Sequence, residues 1–295
     1  MGRAKEALKF NSKARQFAAE RGFSSEFRRL EIEELVELQD EERFEEILDL
    51  SKTIAADNFD LQMRYHGTMG QAHSYGYLSG IDGFSKEMAK RHFEEALKYA
   101  YMLDSEPDIS QDLNYMYLWY ALFDPASQES EEAYAKARNH IKCNLQDLEK
   151  SRKRNVFFLK RIRLMSYYRR MLGADKVSDL DYQKEKLPDE ADNWLRALAC
   201  KYLGAIAAAN GIMDLSERLF EEGIELMPLP DSPGILSCIR MSILMEYYKS
   251  LGKTKHLETA KRELSSLLNT FPIIASKWLK FLKGSSDYPA LSYWY

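Results

Sequence analysis

The hydrophobic positions of the chain recur at helical spacing and are interrupted by glycine and proline. The clearest example runs from Ala197 to Pro228. Apolar side chains recur every three or four residues before Asn210 and Gly211 and again after them, which predicts two amphipathic helices joined by a short turn. Gly204 lies inside the first helix, where glycine costs about 1 kcal/mol relative to alanine. A closely approaching partner helix would explain this glycine, so we expect a packed helical hairpin.

Further pairs of amphipathic segments follow one another along most of the chain. A first helix is predicted at 4–21, and helical hairpins are predicted at 61–103, 111–148 and 235–269. The eight prolines lie between such segments, as expected for residues that mark helix ends. The sequence contains no convincing series of alternating strands. It therefore predicts an all-α protein.

Small and aromatic residues keep a recognisable spacing in the 197–228 hairpin. Leu203 and Gly204 are adjacent in the first helix, and Ser216 and Phe220 stand four residues apart in the second. Pro228 follows the end of the second helix. This spacing resembles the tetratricopeptide repeat, whose pattern is W-x2-L-G-x2-Y, then A-x3-F, then a closing proline. Cysteine and alanine replace the two aromatic residues of the first helix.

Weaker copies of the same outline occur elsewhere in the chain. The 61–103 hairpin contains Met69-Gly70 in its first helix and Ala89-x3-Phe93 in its second. The resemblance implies a right-handed α-solenoid of TPR-like helical hairpins. In such a solenoid the last amphipathic helix, at 273–283, would be a C-terminal capping helix.

A polar stretch at 173–190, GADKVSDLDYQKEKLPDE, interrupts the helical pattern. The predicted organisation has three parts: N-terminal helical repeats that end in a basic helix at 1–172, a linker at 173–190, and C-terminal TPR-like repeats with the capping helix at 191–295. Because solenoid repeats contact only their neighbours, such a linker does not require an independent domain. We therefore expect one continuous solenoid.

The strongest charge feature is the segment 150–170, which contains no acidic residue. Apolar residues such as Leu159 and Ile162 can form a buried stripe while the cations project outward. A solvated basic face is the usual interpretation of such a segment. The sharper interpretation is a docking face for an acidic partner segment or for a nucleic-acid backbone. The predicted basic face consists of Arg152, Arg154, Lys160, Arg161, Arg163 and Arg170.

Composition limits the partners and the compartment. The formal net charge of −4 gives no global attraction to nucleic acid or acidic membranes, so any such attraction has to be local. No apolar run approaches the roughly 20 residues needed to cross a bilayer. Cys143, Cys200 and Cys238 are far apart, which indicates buried thiols in a reducing cytosol. We therefore expect a cytoplasmic protein that does not bind membranes.

The sequence lacks the familiar signatures of catalysis and of metal or phosphate binding. It contains no Gly-rich phosphate loop, no His-Glu-x-x-His, no paired Cys-x2-Cys and no nucleophile elbow. His66 and His73 could share a helix face near His92, but without metal-ligand spacing we expect core or surface histidines. We therefore predict no enzymatic activity, no metal and no cofactor.

The tetratricopeptide resemblance implies binding of a protein or peptide in a concave groove lined by the first helices of successive hairpins. We expect a protein interaction scaffold or regulatory adaptor, whose partner is another protein or a peptide segment, acidic segments included. The alternative is a nucleic-acid-associated regulator that uses the basic helix at 150–170. The loop at 74–84 is a further candidate contact, and the aromatic tail at 293–295 either docks into another protein or folds back on the core. The predicted groove contacts are Arg64, Asn114, Tyr117, Arg196, Lys201 and Arg240.

Overall fold

The computed structural model describes residues 4–143, 150–173, 180–228, 235–253, 256–284 and 288–295. These residues form α-helices and one short 310 helix, Ala290–Tyr293, without a β-strand, which confirms the predicted all-α class. None of the described helices combines the length and the apolar character of a membrane span. The α-helices are α1 (Ala4–Arg21), α2 (Ser24–Asp40), α3 (Phe44–Ser51), α4 (Phe59–Leu78), α5 (Lys86–Met102), α6 (Glu106–Phe123), α7 (Gln128–Cys143), α8 (Lys150–Leu172), α9 (Tyr182–Glu185), α10 (Asn193–Ala209), α11 (Met213–Glu225), α12 (Ile235–Leu251), α13 (Leu257–Leu267) and α14 (Pro272–Leu282).

The helix ends follow the sequence pattern closely, with two informative differences, of which the first is the start of α6. α1 covers the predicted span at 4–21. α6 begins at Glu106 instead of 111, so Pro107 lies in the first turn of the helix and not before it. Proline is tolerated there because the first amide groups of a helix have no partner within it. The earlier start also places Asp108 in the first turn of α6.

The chain divides into two compact units, Met1–Met116 and Tyr117–Tyr295, and the division falls within α6. Residues 174–179 of the predicted linker lie outside the described residues. The rest of that stretch contains the short helix α9. The predicted division into 1–172, 173–190 and 191–295 stays a prediction.

In the first unit, each helix packs mainly against helices that are near in the chain. α2 contacts α1, α3 and α4, and α4 contacts α5. α4 continues to Leu78, so residues 74–78 of the predicted contact loop are helical. Tyr75 in this segment is buried and stacks on Phe44 of α3, with 5.4 Å between the ring centroids. The contact loop is therefore shorter than predicted, because its first residues contribute to the core.

In the second unit, α10 lies at the centre and contacts α8, α11 and α12. Gly204 of α10 meets the ring of Phe220 of α11, whose nearest atoms would stand 3.1 Å from a Cβ at this position. The hydroxyl of Ser216 donates a hydrogen bond to the carbonyl oxygen of Gly204 at 2.8 Å. The expected close approach of a partner helix at Gly204 is thus confirmed.

The C-terminal segment folds back onto the second unit. The indole N–H of Trp278 donates to the hydroxyl oxygen of Ser292 at 2.8 Å, and the hydroxyl of Tyr202 donates to the carbonyl oxygen of Tyr293 at 2.9 Å. Tyr295 is also buried. The aromatic tail therefore folds back on the core, which is one of the two roles expected for it.

Candidate functional site

A cleft of about 260 Å³ opens in the first unit between α2, α4 and α6. This volume lies near the lower end of the range of roughly 300–1,000 Å³ that is typical of small-molecule sites. The lining includes Arg29, Ile32, Glu33 and Val36 of α2, Met63, Arg64, Gly67, Thr68 and Gln71 of α4, and Asp108, Gln111, Asp112 and Tyr115 of α6.

Gly67 keeps the cleft open at its α4 wall. A Cβ placed at Gly67 would have only Asp112 Oδ1 in range among the described residues outside its own helix, at 4.0 Å. Gly70, one turn further along, is different, because a Cβ there would stand 2.5 Å from the ring of Phe93. Gly70 is therefore required by the packing of α4 on α5, whereas Gly67 leaves space that a ligand can enter.

Asp112 supplies a buried carboxyl group to this cleft. Its residue surface is only 5% exposed, and Oδ2 has no hydrogen-bond partner among the described residues. Burial, and to a smaller extent the negative charge of Asp108, raise the pKa of Asp112 to about 8. A buried carboxylate without a partner is costly, so the group holds its proton at neutral pH unless a cation reaches it.

The arginines of the cleft are already paired within their own helices. Arg64 Nε lies 3.0 Å from Asp60 Oδ2, and Arg29 Nε lies 3.1 Å from Glu33 Oε1. Both are exposed i,i+4 pairs, which are typically worth about 0.3–0.5 kcal/mol. Among the described residues, no ion pair reaches Asp108 or Asp112. The α6 wall of the cleft thus carries two acidic side chains. The hydrogen bond to Asp60 and, to a smaller extent, the charge of Asp108 raise the pKa of Arg64, so Asp108 interacts with this arginine without forming an ion pair.

The three histidines noted in the sequence form a cluster between α4 and α5. Nδ1 of His66 lies 2.8 Å from Nδ1 of His92, and the rings of His73 and His92 stack with 5.3 Å between centroids. Burial lowers the pKa of His73 to about 4 and, together with the other two imidazoles, that of His92 to about 3. No group of three or more metal-ligating side chains with suitable geometry occurs in the described part of the chain. The cluster joins two helices of the first unit.

The structure places the six predicted groove contacts in different environments. Arg64 lines the cleft of the first unit. Asn114 is fully buried in α6. Tyr117 is fully buried, and its hydroxyl oxygen accepts a hydrogen bond from Arg163 at 3.3 Å. Of these residues, only Arg64 is available to a ligand of the cleft.

The other three predicted contacts belong to the second unit and make internal contacts. Lys201 is fully buried, and its ammonium group donates to the carbonyl oxygens of Ser292 at 2.5 Å and Tyr295 at 2.8 Å. Arg240 pairs with Glu263 at 3.2 Å. Arg196 pairs with Asp189 at 2.5 Å. These contacts give the three cations structural roles in the second unit.

The middle of the predicted basic face turns inward in α8. Arg161 is 2% exposed and donates to the carbonyl oxygen of Trp294 at 2.8 Å. Arg163 and Arg170 both donate to Glu131 Oε1 of α7 at 2.9 Å. These three arginines therefore bind groups of the same unit, and of the three Arg170 stays partly exposed.

The outer cations of α8 contact the segment that follows it. Lys160 donates to the carbonyl oxygens of Lys184 at 2.6 Å and Lys186 at 3.0 Å. Arg154 pairs with Asp192 at 3.2 Å. The side chain of Arg152 lies outside the described residues. The described cations of the predicted basic face therefore all have partners within the chain.

A second cleft, of about 350 Å³, opens in the second unit beside α7 and α8. Its apolar surface comes from residues such as Ile141, Val156 and Leu159. Arg138 and Lys142 stand exposed at its α7 side. Lys153 and Arg154 of α8 are exposed as well, so accessible cations occur on both helices.

Sequence reasoning missed Asp112. Its only signal is the i,i+4 spacing of Asp108 and Asp112 in an otherwise aromatic segment, which puts two carboxyl groups on one helix face.

Comparison of the chain with protein-family models, with curated proteins and with solved structures finds no match. The tetratricopeptide resemblance consequently rests on the residues of this chain alone.

Proposed function

We propose that the protein is a non-enzymatic cytoplasmic scaffold or regulatory adaptor that binds a peptide segment of a partner protein in the cleft of the first unit. The observation that carries the proposal is the position of the cleft. It lies between α2, α4 and α6, which are alternate helices of the chain and would be the first helices of successive hairpins in a TPR-like arrangement. Members of the tetratricopeptide family bind their partners on that side.

Two equivalent contacts support a repeated hairpin in both units. The ring of Phe93 in α5 meets Gly70 of α4, and the ring of Phe220 in α11 meets Gly204 of α10. In each case a glycine of the first helix receives the aromatic ring of the second helix. This is the pairing that the Leu-Gly and A-x3-F elements of the repeat pattern would produce. The α-solenoid of TPR-like hairpins is the architecture that we propose on this basis.

The proposal does not extend to nucleic acid. Binding of a phosphate backbone requires accessible Lys and Arg side chains, each of which neutralises a phosphate. Arg161 is buried, and Arg163 and Arg170 share the carboxylate of Glu131. Few cations of α8 are therefore left to contact phosphates.

A matched pair of variants tests the role of the cleft. Short displayed peptides are selected on the full chain, and the affinities of the best ligands are then measured against Gly67→Leu and Glu94→Leu. Gly67→Leu fills the open space, while Glu94→Leu adds the same side chain at an exposed position of α5 outside the cleft. We expect at least about a tenfold loss for Gly67→Leu, equivalent to 1.4 kcal/mol, and no loss for Glu94→Leu. Equal affinities, or the absence of any selected peptide, would contradict the proposal.

A further inference from the structure

From the acidic wall of the cleft, we infer that the partner segment inserts a positively charged side chain, lysine or arginine, which forms an ion pair with Asp112. The inference rests on the proposed function, because it specifies the chemistry of the segment that the cleft would bind. It assigns a specificity-determining role to a carboxyl group whose Oδ2 atom has no hydrogen-bond partner among the described residues.

The first observation is the state of the carboxyl group. Asp112 is only 5% exposed, although it lines an open cleft. Its Oδ2 atom has no hydrogen-bond partner among the described residues. Buried polar groups in folded proteins are nearly always hydrogen-bonded. A ligand that donates hydrogen bonds would supply the missing partner, and a charged donor would supply the strongest one.

The second observation is the route to that group. Gly67 has no side chain, and the space above it is bounded by Asp112 Oδ1 at 4.0 Å from the position of a Cβ. A methylene chain entering over Gly67 would bring its terminal atoms to the carboxyl group. Ile32 and Met63, both buried in the lining, provide apolar surface for such a chain. Lysine and arginine commonly bury their stems in this way while the charged end finds a polar partner.

The third observation is the sign of the charge. Arg29 and Arg64 at the cleft pair with Glu33 and Asp60 of their own helices. Asp108, one turn before Asp112 on α6, adds a second carboxylate to the same wall. The carboxylate of Asp108 repels a negatively charged ligand and attracts a cation. A cation beside Asp112 would in addition favour the ionised form of its carboxyl group, which offsets the cost of ionising Asp112 inside the protein.

Metal binding is a weaker explanation of the same wall. The described part of the chain contains no group of three or more His, Cys, Asp or Glu side chains that could hold a metal ion. Divalent cations such as Ca²⁺ take six to eight oxygen ligands. An ammonium or guanidinium group needs only a few acceptors, which the two carboxyl groups and the hydroxyl of Thr68 can provide.

The test uses a selected lysine- or arginine-containing peptide and a copy in which that residue is replaced by norleucine, titrated against the full chain. We expect norleucine to weaken binding at least about tenfold. Asp112→Asn, which preserves the shape of the side chain, should weaken the cationic peptide similarly and leave the norleucine peptide unchanged. Glu94→Gln, which removes an exposed carboxylate of α5 outside the cleft, is the matched control and should change neither affinity.

The outcomes separate this inference from the proposed function. If peptides bind in a manner that Gly67→Leu abolishes but the selected sequences need no cation, the proposed function stands and the inference is overturned. If no peptide is selected, both are overturned. Should Asp112→Asn fail to fold by circular dichroism, the comparison of the lysine and norleucine peptides on the unaltered protein decides the question.

Discussion

Asp112 of α6 lies against Gly67 of α4, with Oδ1 of the carboxyl group 4.0 Å from the position that a Cβ would take at the glycine. Because Gly67 has no side chain, the carboxyl group borders open space although the residue is almost entirely buried. The contact therefore determines two properties of the cleft at once. The glycine determines whether a side chain can enter, and the aspartate determines the charge that the side chain meets.

Alanine substitutions at Gly67 and Gly70 should have opposite effects on stability. Both glycines lie inside α4, where alanine is favoured over glycine by about 1 kcal/mol. At Gly67 the added methyl group enters open space, so the free energy of unfolding should rise by up to roughly that amount. At Gly70 it would stand 2.5 Å from the ring of Phe93, and overpacking of a core typically costs about 1–3 kcal/mol.

Urea unfolding of the two variants beside the wild type checks this prediction. The same residue is introduced into the same helix one turn apart, so the difference between the variants isolates the local packing. A loss of stability in Gly67→Ala as large as that in Gly70→Ala would show that the cleft is closed in solution.

The stability of the first unit should depend on the protonation of Asp112. The folded pKa of about 8 lies above the ordinary value of 3.8. Between these values the folded state holds a proton that the unfolded state releases, so the free energy of unfolding falls as the pH rises. The slope from one such group is at most about 1.4 kcal/mol per pH unit. The charged groups facing the cleft are Arg29 and Glu33 of α2, Arg64 of α4 and Asp108 of α6.

Unfolding measured from pH 4 to pH 8 on Asp112→Asn and the wild type tests this dependence. The stabilising contribution of protonated Asp112 is fully present below about pH 4 and is lost as the pH approaches and passes 8. The variant should therefore gain stability relative to the wild type along this range. Glu94→Gln should stay parallel to the wild type. Parallel curves for all three proteins would mean that Asp112 is solvated.

The helices could be predicted from sequence because their signals are local. The apolar spacing at 4–21 gives α1, and Gly204 predicted the close approach that the ring of Phe220 makes. Such signals depend on the helical period and on the size of a side chain within one or two turns. The predicted start of α6 was wrong because of Pro107. A proline in the first turn of a helix and a proline before a helix give the same sequence signal.

The candidate site could not be predicted in the same way, because burial depends on distant parts of the chain. The repeat pattern predicts that Lys201 contacts the groove. In the structure, Ser292 and Tyr295, about ninety residues further along the chain, cover it. The burial of Asp112 likewise depends on α2 and α4. No local pattern distinguishes a charged residue on a solvated face from one that a later segment encloses.

The fully buried Lys201 should stabilise the second unit through its contacts with the C-terminal segment. Lys201→Met keeps a long flexible side chain but leaves the carbonyl oxygen of Ser292 without its donor, while the carbonyl oxygen of Tyr295 keeps the hydroxyl of Ser242 at 3.1 Å. An unsatisfied buried polar group is costly, so we expect a loss of about 1–3 kcal/mol in the free energy of unfolding. Thermal and urea unfolding measure the loss.

Lys98→Met is the matched control for this prediction. Lys98 lies exposed on α5 and forms an i,i+3 pair with Glu95 at 2.9 Å. Exposed pairs contribute little, so its replacement should change stability by less than about 0.5 kcal/mol. If Lys201→Met were as mild as Lys98→Met, the C-terminal segment would not be anchored by the ammonium group.

Binding of a cationic peptide to the cleft should strengthen with pH and release a proton. Asp112 holds its proton below about pH 8, whereas an ion pair requires the carboxylate. The association constant should therefore rise by up to about tenfold per pH unit below that value and level off above it. A lysine or arginine side chain of the peptide stays charged throughout this range. The norleucine copy of the peptide should show no such rise, since it gains nothing from ionised Asp112.

Isothermal titration calorimetry in two buffers with different ionisation enthalpies measures the released proton directly. At pH 7 we expect close to one proton per bound cationic peptide for the wild type and none for Asp112→Asn. The histidines of the neighbouring cluster add no proton exchange of their own, because burial lowers the pKa of all three, to about 4 for His73 and about 3 for His92, and these imidazoles are neutral at this pH. A cationic peptide that binds the wild type without releasing a proton would show that its charge is held by a group other than Asp112.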